Sequence, residues 1–305
     1  MKTVIRIYLR SYQNKIHLWF EGPKRKEDIM NFEEFVDEMI REVEQRMSTE
    51  VRVKKHCASK NNGTQKVALV ILRKDVNISP TIYMEEFYEQ YQQGATVVQL
   101  VKTILEFYEK ICVKKNINVE EIFVYENMKD KIAYKLVNAE KNREMLKNTP
   151  HEEFLDLAMI CYLILDDPDL GTASVNIGRE HLRHWGITER ELFEQAKKNT
   201  PILLPHIRME LTEVMFVHTN DVNQYGAAVL AYPDTLKQEF ECLGENFYII
   251  PSSIHEVIIV PESFGMNRID MEVMLRTINV GEVREEEVLS DHVYYYIGRE
   301  EKIIL

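Results

Sequence analysis

From Asn31 onward the apolar positions recur every three or four residues: Phe32, Phe35, Val36, Met39, Ile40, Val43 and Met47, with Glu and Asp between them. That period predicts an amphipathic helix to about Met47, and Asn31 followed three residues later by Glu34 supplies a capping box at its start. The pattern then changes to β-branched runs, Val51–Cys57 and Lys66–Arg73, around Asn61-Asn62-Gly63, which predicts a hairpin turning at a dipeptide suited to positive φ. A short aromatic helix over Met84–Gln92, ended by Gly94, and a longer one over Thr96–Lys114 with Val97, Val101, Ile104, Tyr108 and Ile111 on one stripe complete a helix–hairpin–helix–helix layer.

Beyond Asn148 the chain alternates again. Phe154–Leu165 is apolar enough to read as one buried strand, Asp166–Gly171 as a turn by its residue types, and Thr172–Ile177 as the returning strand. Thr188 and Glu191 form a second capping box, opening a helix expected to stop before Thr200-Pro201. The last hundred residues predict strands at Val214–His218, Phe247–Ile250, Glu256–Val260 and Val293–Ile297. Helices are predicted over Gly226–Leu243, disturbed at Pro233, and over Arg268–Asn279. These elements predict an α+β fold with antiparallel sheets, packed helices and mixed strand and helix order. Two α+β layers, 30–148 and 149–305, or one continuous domain, follow an N-terminal segment of 29 residues.

Charge changes the picture of that segment. The 305-residue chain carries a net charge of −12, yet residues 1–26 hold seven basic side chains and one acidic, while residues 206–305 hold 18 acidic and seven basic. The basic segment 1–29 reads as appended and loosely attached, its apolar residues interrupted by Arg6 and Arg10 before a signal-peptide core can form. The acidic body disfavours nucleic acid except through that arm, and favours a basic partner. The longest apolar run, Ala158–Leu165, is too short to cross a bilayer. Cys57, Cys112, Cys161 and Cys242 are far apart with no CxxC pair, so buried free thiols and a cytoplasmic chain are expected.

Candidate chemistry concentrates at Pro251-Ser252-Ser253-Ile254-His255-Glu256, where hydroxyls, an imidazole and a carboxylate share one corner. Ser252, Ser253, His255 and Glu256 are the candidate binding residues. A hydrolase built there is the alternative, although Ser253 and His255 at i and i+2 project nearly parallel from extended backbone, a poor Ser–His geometry. A self-bonded tight turn fits Ser and Pro best. His181 and His184, with Asp166, Asp167 and Asp169 nearby, lack HExxH or calcium-loop spacing, and no phosphate-binding glycine motif occurs. No metal or cofactor is implied. Tyr83, Tyr88, Tyr91 and Tyr294–Tyr296 have acidic flanks, which suits packing better than base stacking. The favoured reading is a non-catalytic module that binds a protein or a small ligand.

Six stretches carry a family resemblance: SPTIYMEEFYEQYQQG (79–94), NAEKNREMLKNTPHEEFLDLA (138–158), GTASVNIGREHLRHWGITERELFEQAKKNTPILLP (171–205), YGAAVLAYPDTLKQEF (225–240), FYIIPSSIHEVIIVP (247–261) and LSDHVYYY (289–296). With them the chain resembles a bacterial family, domain of unknown function 5688, and in its last third is similar to domain of unknown function 1444. The resemblance implies a start near the MNFEEF motif at Met30–Phe35, and it implies no activity, cofactor or catalytic residue.

Overall fold

The computed structural model describes residues 29–48, 50–74, 79, 81–111, 119–167 and 171–305. The basic segment read as appended therefore lies outside the described residues, except for Ile29. Described residues fall into two compact units. The first takes the residues up to Ser59, Gln65–Glu120 and Ile164–Val175; the second takes Lys60–Thr64, Glu121–Leu163 and Asn176–Leu305.

In the first unit, α1 (Phe32–Arg46) starts at Asn31, whose side chain accepts from Glu34 N while Glu34 returns a bond to Asn31 N. β1 (Val51–Ser59) and β2 (Gln65–Arg73) pair antiparallel from Val51↔Arg73 to Ser59↔Gln65. Asn62 and Gly63 take the positive φ that the Asn-Asn-Gly sequence predicts. β3 (Thr81–Tyr83) joins β2, followed by α2 (Glu85–Gln92) and α3 (Val97–Ile111). The helical stripes meet one face of the hairpin, and Phe35, Met39, Leu69, Ile71, Leu100 and Ile104 close a core from which water is excluded. Each such side chain contributes about 1.5–3 kcal/mol by burial, so this layer has ample drive to form. The part of the expected α3 beyond Ile111 lies outside the described residues.

The second unit opens with α4 (Tyr125–Met128), β4 (Ile132–Asn138) and α5 (Arg143–Leu146), followed by β5 (His151–Phe154) and β6 (Leu157–Asp167), whose residues from Ile164 onward, like β7 up to Val175, belong to the first unit. The expected single strand over 154–165 is therefore two, because Leu155 takes φ 56 and turns the chain between them. β7 (Gly171–Asn176) returns beside β6 as expected, and the sheet runs β4-β6-β5 with β7 also on β6. α6 (Arg179–Trp185) and α7 (Glu189–Leu203) follow; the Thr188–Glu191 capping box is present. α7 does not stop before Thr200-Pro201 but runs through it, and Leu204 N still reaches Thr200 O.

That extra turn has a use. β4 lies at a sheet edge and all seven of its residues are buried, so its outward peptide groups need partners away from water. Thr200 Oγ1 accepts from Tyr134 N at 3.0 Å, and Asn199 Nδ2 donates to Ile132 O at 3.0 Å. The end of α7 thus seals the edge with side chains.

The remaining elements are β8 (His206–Thr212), β9 (Met215–Asn220), α8 (Thr235–Leu243), β10 (Phe247–Ser253), β11 (Glu256–Pro261), α9 (Arg268–Gly281), β12 (Tyr294–Ile297) and β13 (Lys302–Ile304). Six strands form one antiparallel sheet in the order β13-β12-β10-β11-β9-β8. In β10 the register slips between Ile250 and Ser253, leaving Pro251 and Ser252 opposite the single Val257. A bulge is where a strand tolerates a residue without an N–H. The antiparallel α+β class predicted from the pattern is the class observed.

Candidate functional site

The strand corner is tighter than Pro251–His255. β10 continues to Ser253, which pairs with Glu256, so only Ile254 and His255 form the connection. Ser253 Oγ accepts from His255 N at 3.0 Å, and Ser252 Oγ stands 3.5 Å from Glu256 Oε1. Neither hydroxyl bonds the imidazole. Ser253 is spent holding its own turn, so the corner lacks the serine–histidine pair from which a nucleophile would be activated.

His255 instead faces a loop 30 residues earlier. Its Nδ1 accepts from Tyr225 N at 3.2 Å, its Nε2 lies 3.5 Å from Glu287 Oε1, and its ring stacks on Tyr225 at 5.9 Å between centroids. Tyr225 sits at φ 55, a left-handed conformation that costs a residue with a side chain about 1–2 kcal/mol. The bond from its N–H to His255 helps hold it there. Asn220 braces the same loop, donating to Gln224 O at 2.8 Å and accepting from Gln224 N. Gly226 follows with no room for a side chain: a Cβ there would overlap Thr219 Oγ1 and the His255 carbonyl. Thr219 Oγ1 donates to that carbonyl at 2.8 Å, closing the cluster.

The Tyr225 ring carries a cation. Lys135, on β4, places Nζ 4.0 Å from its centroid and 5.2 Å from that of Tyr162, and the two tyrosines meet edge to face at 5.3 Å. Lys135 is 7% exposed, and among the described residues no carboxylate pairs with it. Nothing in the local pattern marked this lysine, because it interrupts an otherwise apolar run. Its partners, Tyr162 and Tyr225, come from two separate segments.

A second polar cluster lies on β8, β9 and α8. Arg208 donates Nε to Glu239 Oε2 at 2.8 Å and NH2 to Oε1 at 3.2 Å, and its guanidinium covers the Phe216 ring. His218 Nε2 lies 3.3 Å from Glu239 Oε2, off the line of a straight hydrogen bond, and its Nδ1 is 2.9 Å from His206 Nε2. The network assigns the tautomers: His206 Nε2–H donates to His218 Nδ1, which leaves the His218 Nε2 proton facing Glu239. Burial first, then His218, pushes the His206 imidazole down to about 4. A general base works best with a pKa near the operating pH, so this chain of groups suits structure better than proton transfer.

The other candidates resolve into packing. His181 Nδ1 accepts from Gly178 N at 3.1 Å, and both His181 and His184 lie against Phe123. Asp169 lies outside the described residues. Among the described residues no group of three or more His, Cys, Asp or Glu is placed to hold a metal ion, and no helix is long and apolar enough to cross a membrane. Tyr294 and Tyr296 are buried, Tyr296 against Phe247. Cys57, Cys161 and Cys242 are free as expected, but only Cys161 is buried; Cys112 lies outside the described residues. A cleft of about 350 Å3 between Arg46, Ser48, Arg73 and Tyr108 in the first unit holds none of the candidate residues.

The family model for a family of unknown function, DUF5688, matches residues 32–215 and 207–297. The chain belongs to this family. DUF5688 covers both units and every residue of the Lys135–Tyr225–His255 cluster, and its first matched residue, Phe32, is the first residue of α1. No curated protein and no solved structure matches the chain.

Proposed function

We propose that this DUF5688 chain is a cytoplasmic, non-catalytic binding module whose ligand is a small anion, a carboxylate or phosphate, received by Lys135 beside Tyr162, Tyr225 and His255. The observation that carries this reading is Lys135, a residue only 7% exposed whose ammonium lies over the Tyr225 and Tyr162 rings and, among the described residues, pairs with no carboxylate. Ring faces return about 0.5–2 kcal/mol to a cation, whereas removing it from water costs several. Three N–H donors are left for an anion to satisfy. Ser252, Ser253, His255 and Glu256 then serve the site indirectly: Ser253 fixes the corner, and the corner fixes Tyr225 through His255. The acidic chain attracts basic partners at long range, so anion selectivity must come from contact at Lys135. Free cysteines at three positions agree with a reducing compartment.

The test is a titration of the isotopically labelled full chain with citrate and, separately, with inorganic phosphate at constant ionic strength. Saturable shifts at Tyr162, Tyr225 and His255 that vanish in Lys135→Met support the site. A weak, unsaturable response shared by wild type and Lys135→Met overturns it.

A further inference from the structure

Among the described residues β8 is the outer strand of the six-stranded sheet, and every residue from Ile207 to Thr212 is exposed. Its alternation is regular as far as Glu210: Ile207 and Met209, exposed by 37% and 44%, share one face, and Arg208 and Glu210 share the other, while Leu211 is the extra residue of the bulge before Thr212. An open edge with an apolar row invites another strand, and natural proteins usually blunt such edges with charge, proline or cover. Here the bulge after Glu210 falls only at the far end.

The backbone phase is fixed by one bond. Asp221 N donates to Pro205 O at 3.0 Å, and this pair continues the β8–β9 register of His206↔Asn220. Pairs that exchange hydrogen bonds alternate along an antiparallel ladder, so 205, 207 and 209 turn their peptide groups toward β9. His206, Arg208 and Glu210 turn theirs toward the open side.

We infer that this edge pairs antiparallel with the same edge of a second copy of the chain, about a two-fold axis at Met209. Only outward-facing residues can exchange bonds across the new ladder, so the register must place even-numbered residues opposite one another. Centring on Met209 puts Arg208, whose guanidinium already holds its own Glu239, opposite Glu210 of the other copy, twice. A shift of one pair in either direction sets Arg208 against Arg208 or Glu210 against Glu210, and like charges directly opposite destabilise a ladder. On the other face the same register brings Met209 beside Met209, an apolar contact on the axis. Charge and hydrophobicity thus select one register, and a self-complementary patch is what a two-fold interface requires. One strand pair buries less than a standard interface, so the association is concentration-dependent.

The register makes a covalent test available. Met209 falls in a pair that exchanges no hydrogen bonds across the new ladder, where the Cα atoms approach to about 4.5 Å, within disulfide reach. Full-length Met209→Cys, oxidised mildly at high protein concentration, is expected to give a reducible dimer well beyond the wild-type background from its native thiols. Ile207→Cys should stay at background, because the two copies of residue 207 lie on opposite sides of the axis. Glu210→Arg, a change at an exposed position, is expected to lower the sedimentation-weighted mass toward the monomer by placing arginine opposite arginine. A Met209→Cys chain that stays at background, cross-linking of Ile207→Cys by itself, or a mass unmoved by Glu210→Arg overturns the inference.

Discussion

Tyr294, fully buried in β12, donates its hydroxyl to Asp156 Oδ1 at 2.6 Å, joining the last part of the chain to the turn between β5 and β6. Ser290 Oγ holds the other carboxylate oxygen, also at 2.6 Å. Burial, reinforced by Asp156, pushes the Tyr294 phenol up, so it remains a neutral donor. Tyr294→Phe is expected to cost about 1.5–3 kcal/mol, the range for a hydrogen bond to a charged group, read from urea unfolding. Because Ser290 shares the carboxylate, Tyr294→Phe and Ser290→Ala should be non-additive in a double-mutant cycle.

Acid should weaken the fold through the cluster on β8, β9 and α8. Burial chiefly, helped by His218, depresses the His206 imidazole to about 4 in the folded chain, against about 6.5 when unfolded. Between those values the unfolded chain holds more protons, so stability is fully present above pH 6.5 and falls as pH drops toward 4. Burial works to raise the Glu239 carboxyl, but His218 and Arg208 outweigh it and hold it below the usual range, which adds to the same acid loss. After solvent screening the His206 part is on the order of 1–2 kcal/mol. Denaturation midpoints between pH 4 and 7 should show this slope, and His206→Gln should flatten it.

Asn62 is the most demanding position in the hairpin connection. Its side chain donates to Glu285 O and Val288 O at 2.8 and 2.7 Å and accepts from Asn142 Nδ2, and its backbone φ is 60. Asn62→Ala strands two carbonyls and the Asn142 amide while keeping a Cβ in the left-handed region. The expected loss is about 3 kcal/mol or more. Asn62→Gly keeps the backbone permission and loses only the bonds, so the difference in melting temperature between the two variants isolates the conformational part.

Removing the buried cation should be harmless to folding. Among the described residues Lys135 has no carboxylate that its loss would leave unpaired, so Lys135→Met, which keeps the stem, is expected to unfold within about 1 kcal/mol of wild type. Glu239→Ala, by contrast, deprives Arg208 and His218 of their shared partner and should cost several times as much. Parallel guanidinium titrations of the two variants make the comparison.

Elements that declare themselves locally are the ones the sequence makes readable. The Asn31–Glu34 and Thr188–Glu191 boxes, the Asn-Asn-Gly turn and the stripe of α3 each depend on neighbours within four residues, and each is present. β4 escapes because Tyr134, Lys135 and Asn138 break the apolar run, yet all are buried by partners far away in sequence. β8 is legible in principle, because Ile207 and Met209 alternate with His206, Arg208 and Glu210 as a strand requires. α7 overruns Pro201 because Asn199 and Thr200 are needed at the edge of β4, a demand from 67 and 66 positions away. The candidate site divides the same way. Ser253 and His255 stand out as neighbours, but Lys135, Tyr225 and Glu287 join them only once the sheets are built.

The extra residue in β10 converts chain length into orientation. With Pro251 and Ser252 facing Val257 alone, the alternation of inward and outward side chains changes phase just before the corner. Ile254 is thereby turned into the interior and His255 toward Tyr225. Deleting Ser252 would straighten the ladder and exchange these two directions, exposing an isoleucine and leaving Tyr225 N without its acceptor. The lysine on its ring would then rest on an unsupported loop, so the geometry around Lys135 is set by a single inserted residue in a strand that Lys135 does not belong to.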